Sequence, residues 1–322
     1  MRSAVVTRQG GPEVIEVLET ETPTAGAGEL TVRVAAAGVN FIDIYQREGV
    51  YPMDFPFVPG SEGAGVVEEV GPGVDEFAPG DRVAWASGRG SYQQVHAVSA
   101  ERAVPVPDEV DLETAAAVLL QGMTAHYLAH DTFPLSAGDR CLVHAGSGGV
   151  GLLLTQMAKR REAEVITTVG TREKVGLSHE AGADMVIVYS EDDFAHDIEA
   201  AYGKRPLDVV YDGVGAETFE RGLRLLRPRG LMVSFGNASG VVPPVRPLDL
   251  STNGSLFLTR PTLGDYTATR AELTARATDL FAMVARGDLM VRIGGRYPLE
   301  DAALAQADLA GRGTTGKLLV IP

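Results

Sequence analysis

The stretch HAGSGGVG, residues 144–151, decides the fold. It has the spacing G-x-G-x-x-G between the apolar segment CLVH and the helical pattern LLLTQMAKR. In a strand–turn–helix context, such glycines allow a tight turn and let the backbone approach a pyrophosphate, while the helix N-terminus offers amide donors to phosphate. The sequence therefore predicts a dinucleotide site that is formed by Gly146, Gly148, Gly149, Val150 and Gly151. A glycine-rich turn without a ligand is the alternative interpretation.

Strand and helix patterns alternate on both sides of this turn. The predicted strands cover residues 140–145, 164–169, 184–188, 207–211 and 230–235. The predicted helices cover residues 149–161, 172–181, 192–202 and 215–227. Such a series is typical of a parallel sheet that is covered by helices on both faces, an α/β fold.

The first hundred residues have a different pattern, with short strands between Gly and Pro turns. The predicted strands here cover residues 3–7, 31–37, 63–71, 82–86 and 90–98, and residues 111–130 read as helices. This pattern indicates a compact β-rich unit. After the alternating region the sequence predicts a strand at 255–259, a helix at 270–286 and a strand at Lys317–Ile321. This closing segment could rejoin the first unit.

Composition and charge limit the class of protein. A chain of 322 residues predicts about two domains. The net charge of −15 argues against a general nucleic-acid binder, which needs a basic face. The single cysteine, Cys141, excludes an intramolecular disulfide and a Cys-rich zinc module. The first residues show no secretion signal, and a strand, a turn and a helix explain the charge-free window 141–158 better than a membrane span does. We therefore expect a cytoplasmic protein without a membrane partner.

The end of the second predicted strand bears on the choice of nucleotide. An NAD site usually has Asp or Glu there, to bind the ribose hydroxyls. This sequence has Thr168, Gly170, Thr171 and Lys174 instead, and no acid ends the strand. A 2′-phosphate fits this set better than a bare diol, because a carboxylate would repel it. Lys174 could also be an ordinary solvated helix residue.

Several further segments resemble the quinone oxidoreductases of the medium-chain dehydrogenase/reductase superfamily, in the branch that includes zeta-crystallin. They are GGPEVIEV (10–17), AAGVNFIDIYQREGVYP (36–52), PGSEGAGVVEEVGPGV (59–74), GDRVAW (80–85), VVYDGVG (209–215), RGLMVSFGNASG (229–240) and LFLTRPTLGDY (256–266). The resemblance covers essentially the whole chain. It implies an α/β fold with a GroES-like β-rich substrate domain, residues 1–122 and 260–322, and a doubly wound Rossmann domain, residues 123–259. It also implies that NADPH binds in the interdomain cleft.

The resemblance assigns further cofactor contacts residue by residue. In the first domain these are Asn40, Phe41, Ile42, Asp43, Tyr45 and Arg312. In the second they are Thr124, Gly148, Gly149, Val150, Thr168, Gly170, Thr171, Lys174, Tyr189, Phe235, Gly236, Asn237, Phe257, Leu258 and Thr259. Gln121 stands where relatives often carry Lys, and its role stays open.

The zinc-dependent members of the same superfamily need thiolate and imidazole ligands in the first domain. This chain has Asn40 and Ser61-Glu62 where those relatives place Cys and His-Glu. The four-Cys structural lobe is missing as well. His126 and His130 are one helical turn apart, but no third ligand accompanies them. We therefore expect no metal site, and Cys141 is interpreted as a small core residue.

Direct hydride transfer from NADPH is the simplest chemistry for such a chain. A quinone or an α,β-unsaturated carbonyl accepts hydride and needs its developing oxyanion stabilised. The candidate catalytic residues are Tyr45 and Tyr51, with Asn40 and Thr124 as further donors. A tyrosine that only packs in the core is the alternative for each. Two other functions stay open, an NADPH-dependent enoyl or alkenal reductase and a weakly catalytic, crystallin-like nucleotide-binding protein.

The strand at 255–259 would lie at an edge of the parallel sheet. An apolar edge strand exposes unpaired backbone groups, and pairing across a two-fold axis satisfies them. The sequence and the resemblance therefore both predict a homodimer.

Overall fold

The computed structural model describes every residue from Met1 to Pro322. The strands are β1 (Arg2–Val6), β2 (Ile15–Glu19), β3 (Glu29–Val39), β4 (Glu62–Val70), β5 (Arg82–Trp85), β6 (Val95–Ser99), β7 (Val104–Pro105), β8 (Arg140–Val143), β9 (Glu164–Val169), β10 (Met185–Val188), β11 (Leu207–Asp212), β12 (Leu226–Ser234), β13 (Phe257–Thr259), β14 (Ile293–Pro298) and β15 (Lys317–Ile321). The α-helices are α1 (Phe41–Arg47), α2 (Leu112–Tyr127), α3 (Gly149–Arg160), α4 (Val175–Glu180), α5 (Phe194–Tyr202), α6 (Phe219–Leu225), α7 (Pro247–Thr252), α8 (Leu263–Tyr266), α9 (Arg270–Ala285) and α10 (Ala302–Ala310).

The chain divides into two compact units. Unit 1 comprises Met1–Met123 and Thr267–Pro322, and unit 2 comprises Thr124–Tyr266. The expected ranges were 1–122 with 260–322 for unit 1 and 123–259 for unit 2. The first boundary therefore lies one residue later than expected, and the second lies seven residues later. The second difference has a physical reason within unit 2. The Tyr266 ring stacks on Tyr127 with 4.2 Å between centroids, and its hydroxyl lies 3.0 Å from the Thr132 hydroxyl.

Unit 1 is built on a seven-stranded sheet in the order β14-β15-β3-β4-β5-β7, with β6 also pairing β3. The hairpin β1-β2 forms a separate sheet. The closing segment of the chain joins the larger sheet, because β15 pairs antiparallel with β3 and places Val320 opposite Ala37. Leu30, Trp85 and Leu318 are among the buried residues of its core.

Unit 2 contains a six-stranded sheet in the order β10-β9-β8-β11-β12-β13, and every pair in it is parallel. This is the doubly wound sheet that the sequence predicts. The strand order reverses between β8 and β11, and ligands of such sheets bind at the carboxyl ends of the strands beside this reversal. The glycine turn 144–148 leaves β8 at that place. The expected edge position of residues 255–259 is also confirmed, since β13 is the last strand of the sheet.

Two predicted elements are wrong in part. The strand expected at 90–98 is formed only as β6, because Gly90 adopts φ +109° and the Tyr92 amide bonds Pro59 instead of a ladder partner. The helix expected at 215–227 is shorter at both ends, because Gly215 adopts φ +95° and Leu226 already belongs to β12. The elements that were not predicted from the sequence are β2, β7, β14, α1, α7, α8 and α10.

No helix of the protein combines the length and the apolar character that are needed to cross a bilayer. The charge-free window 141–158 is the strand, turn and helix that were expected: most of β8, the glycine turn and most of α3.

Candidate functional site

The glycine turn of unit 2 is held by backbone hydrogen bonds from both neighbouring strands. The His144 amide donates to Tyr211 O at 3.1 Å, and the Gly146 amide donates to Thr168 O at 2.8 Å. The Gly148 amide closes the turn on Ala145 O at 2.9 Å, and Ala145 itself adopts φ +56°. Helix α3 begins directly after Gly148. The first amides of the helix have no partner within it and carry its partial positive charge, a suitable site for phosphate.

The three motif glycines differ in what the fold itself demands of them. A Cβ on Gly146 would lie 2.5 Å from Thr167 Cβ, and one on Gly151 would lie 2.3 Å from Ala145 O. Both positions need glycine for packing alone. A Cβ on Gly148 would meet only Ala145 O, at 3.2 Å, and the φ of Gly148 is an ordinary −78°. The space in front of Gly148 is thus left open by the protein, and it fits the approach of a pyrophosphate to the backbone.

The end of β9 brings together most of the residues that the sequence proposed for nucleotide choice. A Cβ on Gly170 would lie 3.3 Å from the Tyr189 hydroxyl, so this hydroxyl stands beside the strand end. Lys174 follows in a 3₁₀ turn and is only 8% exposed. Burial lowers the pKa of its ammonium, and Glu173 partly opposes this shift. A second anion near Lys174 would favour its charged form.

Thr168 differs from its neighbours in this set. Its side chain is fully buried, and its hydroxyl lies 2.9 Å from His144 Nδ1. Thr171, by contrast, is exposed. Of the two threonines, only Thr171 is therefore exposed at this strand end, and the Tyr189 hydroxyl lies beside Gly170.

The carboxyl ends of β11 and β12 lie at the same edge of the sheet as the glycine turn, because both strands are parallel to β8. The Asp212 carboxylate accepts from the amides of Val214 and Gly215, at 2.8 and 2.9 Å, and so fixes the turn after β11. Phe235 donates its amide to Asp212 O, and its ring covers Gly213, where a Cβ would lie 2.9 Å from Phe235 Cζ. Gly236 is equally constrained, because a Cβ on it would lie 2.4 Å from Gly213 O.

The other candidate residues of unit 2 lie on either side of this region. Thr124 is the first residue of the unit and is buried. The Asn237 carboxamide lies against Arg260, which also donates to Ser234 O and Gly236 O. Phe257 and Leu258 lie on the edge strand β13 and are 62% and 36% exposed.

Unit 1 presents an aromatic surface on helix α1 and the loop after it. The Tyr45 ring lies 6.0 Å from the rings of Phe41 and Tyr51, edge-on to the latter. Ile42 and Tyr51 are 38% and 40% exposed. A flat apolar ligand with a polar edge suits such a surface, since tyrosine combines an aromatic face with a polar hydroxyl. Arg312, the remaining candidate in unit 1, follows α10 with φ +57°.

Behind this surface lies a buried polar group, here named the Glu62 cluster, which consists of Asn40, Asp43, Ser61, Glu62, Tyr92 and Lys317. All six side chains are at most 5% exposed. Lys317 forms an ion pair with Glu62 Oε2, and Glu62 Oε1 accepts from the Leu120 amide at 2.6 Å. Asp43 accepts from the Ser61 hydroxyl at 2.8 Å and from the Tyr92 hydroxyl at 3.2 Å. Burial raises the pKa of the Asp43 carboxyl to about 6, against the lowering effect of these bonds and of Lys317.

The cluster limits what two predicted site residues can do. The Asn40 amide group donates to Gly38 O at 3.2 Å and to Glu62 Oε2 at 3.0 Å, and its Oδ1 accepts from Lys317 at 2.7 Å. Both amide hydrogens of Asn40 are thus used within unit 1, and none is left for a substrate carbonyl. The Asp43 carboxylate is likewise turned into the cluster, away from any ligand on the surface of α1.

The sequence analysis missed Lys317, Ser61 and Tyr92 as parts of a polar site. One signal was present, because an ionisable residue opens the apolar strand KLLVI. Charged residues inside a core are rare unless they are paired, so Lys317 required a partner.

The histidines and the cysteine show no metal-ligand arrangement. The rings of His126 and His130 stack at 4.2 Å, and His130 Nδ1 bonds His126 O. Cys141 is buried in the sheet of unit 2, where burial strongly raises the pKa of its thiol. Groups of three or more His, Cys, Asp or Glu side chains that could hold a metal ion are absent.

Comparisons with known proteins agree with this division into two parts. Residues 26–108 match the family described as the alcohol dehydrogenase GroES-like domain, and residues 149–282 match the family described as zinc-binding dehydrogenase. The quinone oxidoreductase of Pseudomonas aeruginosa is 45% identical over 315 residues, which cover 97% of each chain. The 2-haloacrylate reductase of a Burkholderia species is 39% identical over 328 residues, covering 99% of this chain and 98% of that protein.

A solved structure has the same fold over the whole chain. Escherichia coli quinone oxidoreductase in complex with NADPH superposes with a TM-score of 0.98 at 41% identity and covers 100% of both chains.

Proposed function

The chain belongs to the quinone oxidoreductase family of the medium-chain dehydrogenase/reductase superfamily, and from this premise we propose that it reduces quinones by direct hydride transfer from NADPH, without zinc. The observation that carries the proposal is the turn at Gly148. There the fold leaves room for a ligand against the backbone, at the N-terminus of α3 and at the reversal of the strand order. NADPH supplies the hydride when it is bound.

The residues of unit 2 that would hold NADPH follow from its chemistry. The open backbone at Gly148 and the first amides of α3 would bind the pyrophosphate. Lys174 would bind the 2′-phosphate through charge-assisted hydrogen bonds. Thr171 and the Tyr189 hydroxyl lie nearby and could donate further hydrogen bonds. No carboxylate ends β9, so nothing there favours a bare ribose diol over the phosphate. This set supports NADPH over NADH.

The residues of unit 1 would receive the substrate. A quinone that has accepted hydride carries negative charge on its carbonyl oxygen, which needs hydrogen-bond donors. Tyr45 and Tyr51 are the proposed donors, because their rings belong to an aromatic surface that suits a flat ring and each carries a hydroxyl. Thr124 of unit 2 is a further proposed donor. Asn40 is proposed to have a structural role instead, because both hydrogens of its side-chain amide are already bonded.

The proposed independence from zinc rests on the donor set. The side chains at positions 40 and 61 are an amide and a hydroxyl, and Glu62 is already paired with Lys317. Zinc in proteins prefers thiolate, imidazole and free carboxylate ligands. A cation at Glu62 would have to displace a buried ammonium.

A second candidate function is the reduction of an activated alkene, such as a 2-alkenal. The resemblance to 2-haloacrylate reductase over nearly the whole chain favours it. The same NADPH site would serve, because hydride addition to an enone also builds negative charge on a carbonyl oxygen.

We also propose a homodimer in the cytoplasm. Phe257 on the edge strand is 62% exposed, and Val241 and Leu248 of unit 2 are 65% and 64% exposed. An exposed apolar edge strand is a usual place for two copies to pair. Light scattering at micromolar concentration tests the prediction, and a monomer would contradict it.

The experiment that tests the function is an NADPH-oxidation assay with 1,4-benzoquinone, 9,10-phenanthrenequinone and a series of 2-alkenals, with NADH as control. Turnover of quinones at higher kcat/KM than alkenals supports the main proposal, and the reverse supports the alkene reductase. Binding of NADPH with no turnover of any acceptor would favour the weakly catalytic, crystallin-like alternative. Full activity after dialysis against phenanthroline is expected, and stoichiometric zinc whose removal abolishes turnover would overturn zinc independence.

A further inference from the structure

The Glu62 cluster is the largest polar feature of unit 1 that the proposed reaction does not use directly. Its cation, Lys317, comes from the last strand of the chain and is 1% exposed. Burying an ammonium and a carboxylate is costly, and such a pair contributes little net stability compared with apolar residues of the same size. The arrangement therefore needs a reason other than stability.

The cluster is connected to helix α1 at its first turn. Asn40 directly precedes the helix, and its Oδ1 accepts from Lys317 at 2.7 Å. The backbone N–H of Asn40 donates to Asp43 Oδ2 at 3.0 Å, and Asp43 in turn accepts from the hydroxyls of Ser61 and Tyr92. The start of α1 is thus bonded to β15, to the residues that begin β4 and to the loop before β6.

Helix α1 needs such support because it has only seven residues. A helix of this length is not stable by itself in water, and its direction depends on what holds its ends. The same helix carries Phe41, Ile42 and Tyr45, which form the aromatic surface. A change in the direction of its first turn would move the Tyr45 hydroxyl.

The cluster is also tightly enclosed, so its side chains have little room to move. A Cβ on Gly38 would lie 2.4 Å from Glu62 Oε2, 2.6 Å from Lys317 Cε and 2.7 Å from Ala116 O. Glu62 bonds Lys317 and Asn40 through one oxygen and the Leu120 amide through the other. The ion pair is thereby fixed against the backbones of β3 and α2.

We propose that Lys317 is a positioning residue for the reduction: through Asn40 and Glu62 it holds the first turn of α1, and with it Tyr45, in the orientation that receives the substrate carbonyl. The inference rests on the proposed function. Lys317 itself touches neither substrate nor cofactor.

The test compares full-length wild type with the double variant K317M/E62Q and with Asn40→Ala. The double variant removes both buried charges together, and Asn40→Ala leaves the ion pair in place but disconnects it from α1. Lys204→Met, at an exposed lysine of unit 2, is the matched control. The single tryptophan, Trp85, is buried in unit 1 and its fluorescence reports whether that core is intact.

Hydrogen exchange of the peptide that covers residues 41–47 is the first readout, and steady-state kinetics are the second. We expect exchange of this peptide to be at least tenfold faster in both cluster variants, with exchange in β4 and β5 unchanged. Quinone kcat/KM should fall at least tenfold, a larger change than the rise in the Kd for NADPH, because the proposed phosphate contacts lie in unit 2 and only the expected cofactor contacts on α1 are disturbed. Lys204→Met should match wild type in every measurement.

Exchange of the α1 peptide within twofold of wild type, or kcat/KM within threefold despite faster exchange, overturns the inference. If K317M/E62Q loses the native Trp85 emission, Asn40→Ala alone decides between these outcomes. A wild-type protein that reduces no quinone defeats the proposed function, and the exchange experiment then still shows whether Lys317 holds α1.

Discussion

The glycine turn of unit 2 and the Glu62 cluster of unit 1 differ in whether their charges are compensated within the protein. The turn is made of backbone, and it leaves a space in front of Gly148 for an anion that comes from outside. The cluster is made of side chains, and its charges are satisfied within the protein by Lys317, Glu62 and Asn40. In our proposals the first is an open site for a ligand, and the second is a closed group of side chains that holds its neighbours in place.

This difference determines how each region responds to substitution. In an open site, the fold and the ligand place separate demands on each residue, so a variant can lose binding while the protein stays folded. In a closed cluster, a variant leaves a buried partner without its hydrogen bond or ion pair, so the first effect is a lower stability of the fold. The predictions below test this contrast.

The largest effect is expected for Glu62→Ala, which leaves the Lys317 ammonium buried without its carboxylate. Breaking a buried pair from one side costs about 3–5 kcal/mol. The matched control is Glu113→Ala, which removes a surface ion pair with Arg296, where both side chains are more than a third exposed. Such pairs contribute about 0–1 kcal/mol. Urea unfolding of both variants measures the difference, and equal losses would refute the contrast.

The pH dependence of stability tests the state of Asp43. Its pKa is about 6 in the fold against an ordinary 3.8, so the fold favours the neutral carboxyl. The stabilisation from Asp43 is therefore fully present below pH 3.8 and is lost as the pH rises through 6. Compared with Asp43→Asn, wild type should lose about 2 kcal/mol between pH 4.5 and 7.5. Unfolding curves at both pH values measure it, and a wild type that gains stability relative to Asp43→Asn as the pH rises would show that the sign is wrong.

The same contrast explains what could be predicted from the sequence. The glycine turn and the parallel sheet were predictable, because their residues are neighbours in the chain and follow local periodicity. The Glu62 cluster was not, because Asn40, Glu62 and Lys317 are separated by 22 and 255 residues and meet only after β15 has paired with β3. Helix α1 was missed for a related reason: it is a short helix whose support is tertiary.

Within the glycine turn, two neighbouring substitutions should separate folding from binding. Gly151→Ala places a Cβ 2.3 Å from a backbone oxygen, so it should cost about 1–3 kcal/mol of stability through overpacking. Gly148→Ala places its Cβ 3.2 Å from Ala145 O, which requires a shift of only a few tenths of an ångström, so its loss of stability should be smaller than that of Gly151→Ala. Its Kd for NADPH should nevertheless rise about tenfold or more, about 1.4 kcal/mol. Thermal unfolding and fluorescence titration measure the two quantities, and normal NADPH affinity in Gly148→Ala would remove the turn from the cofactor site.

The smallest expected effect concerns Lys174, and it asks whether the open site distinguishes two cofactors. Wild type should prefer NADPH over NADH by at least about tenfold in kcat/KM, about 1.4 kcal/mol. The side chain of Lys174 is mostly buried and its pKa is lowered by that burial, so a 2′-phosphate beside it would favour the charged form through a charge-assisted hydrogen bond.

Lys174→Ala should therefore raise the KM for NADPH and leave NADH kinetics nearly unchanged. Arg172→Ala is the matched control, because Arg172 is exposed, lies two residues away and is paired with Glu191 at 2.5 Å. If Lys174→Ala weakens the binding of both cofactors equally, Lys174 has a structural role, as the residues of the Glu62 cluster do. If wild type prefers NADH, the argument from the strand end is wrong, although the geometry at Gly148 would still support a dinucleotide.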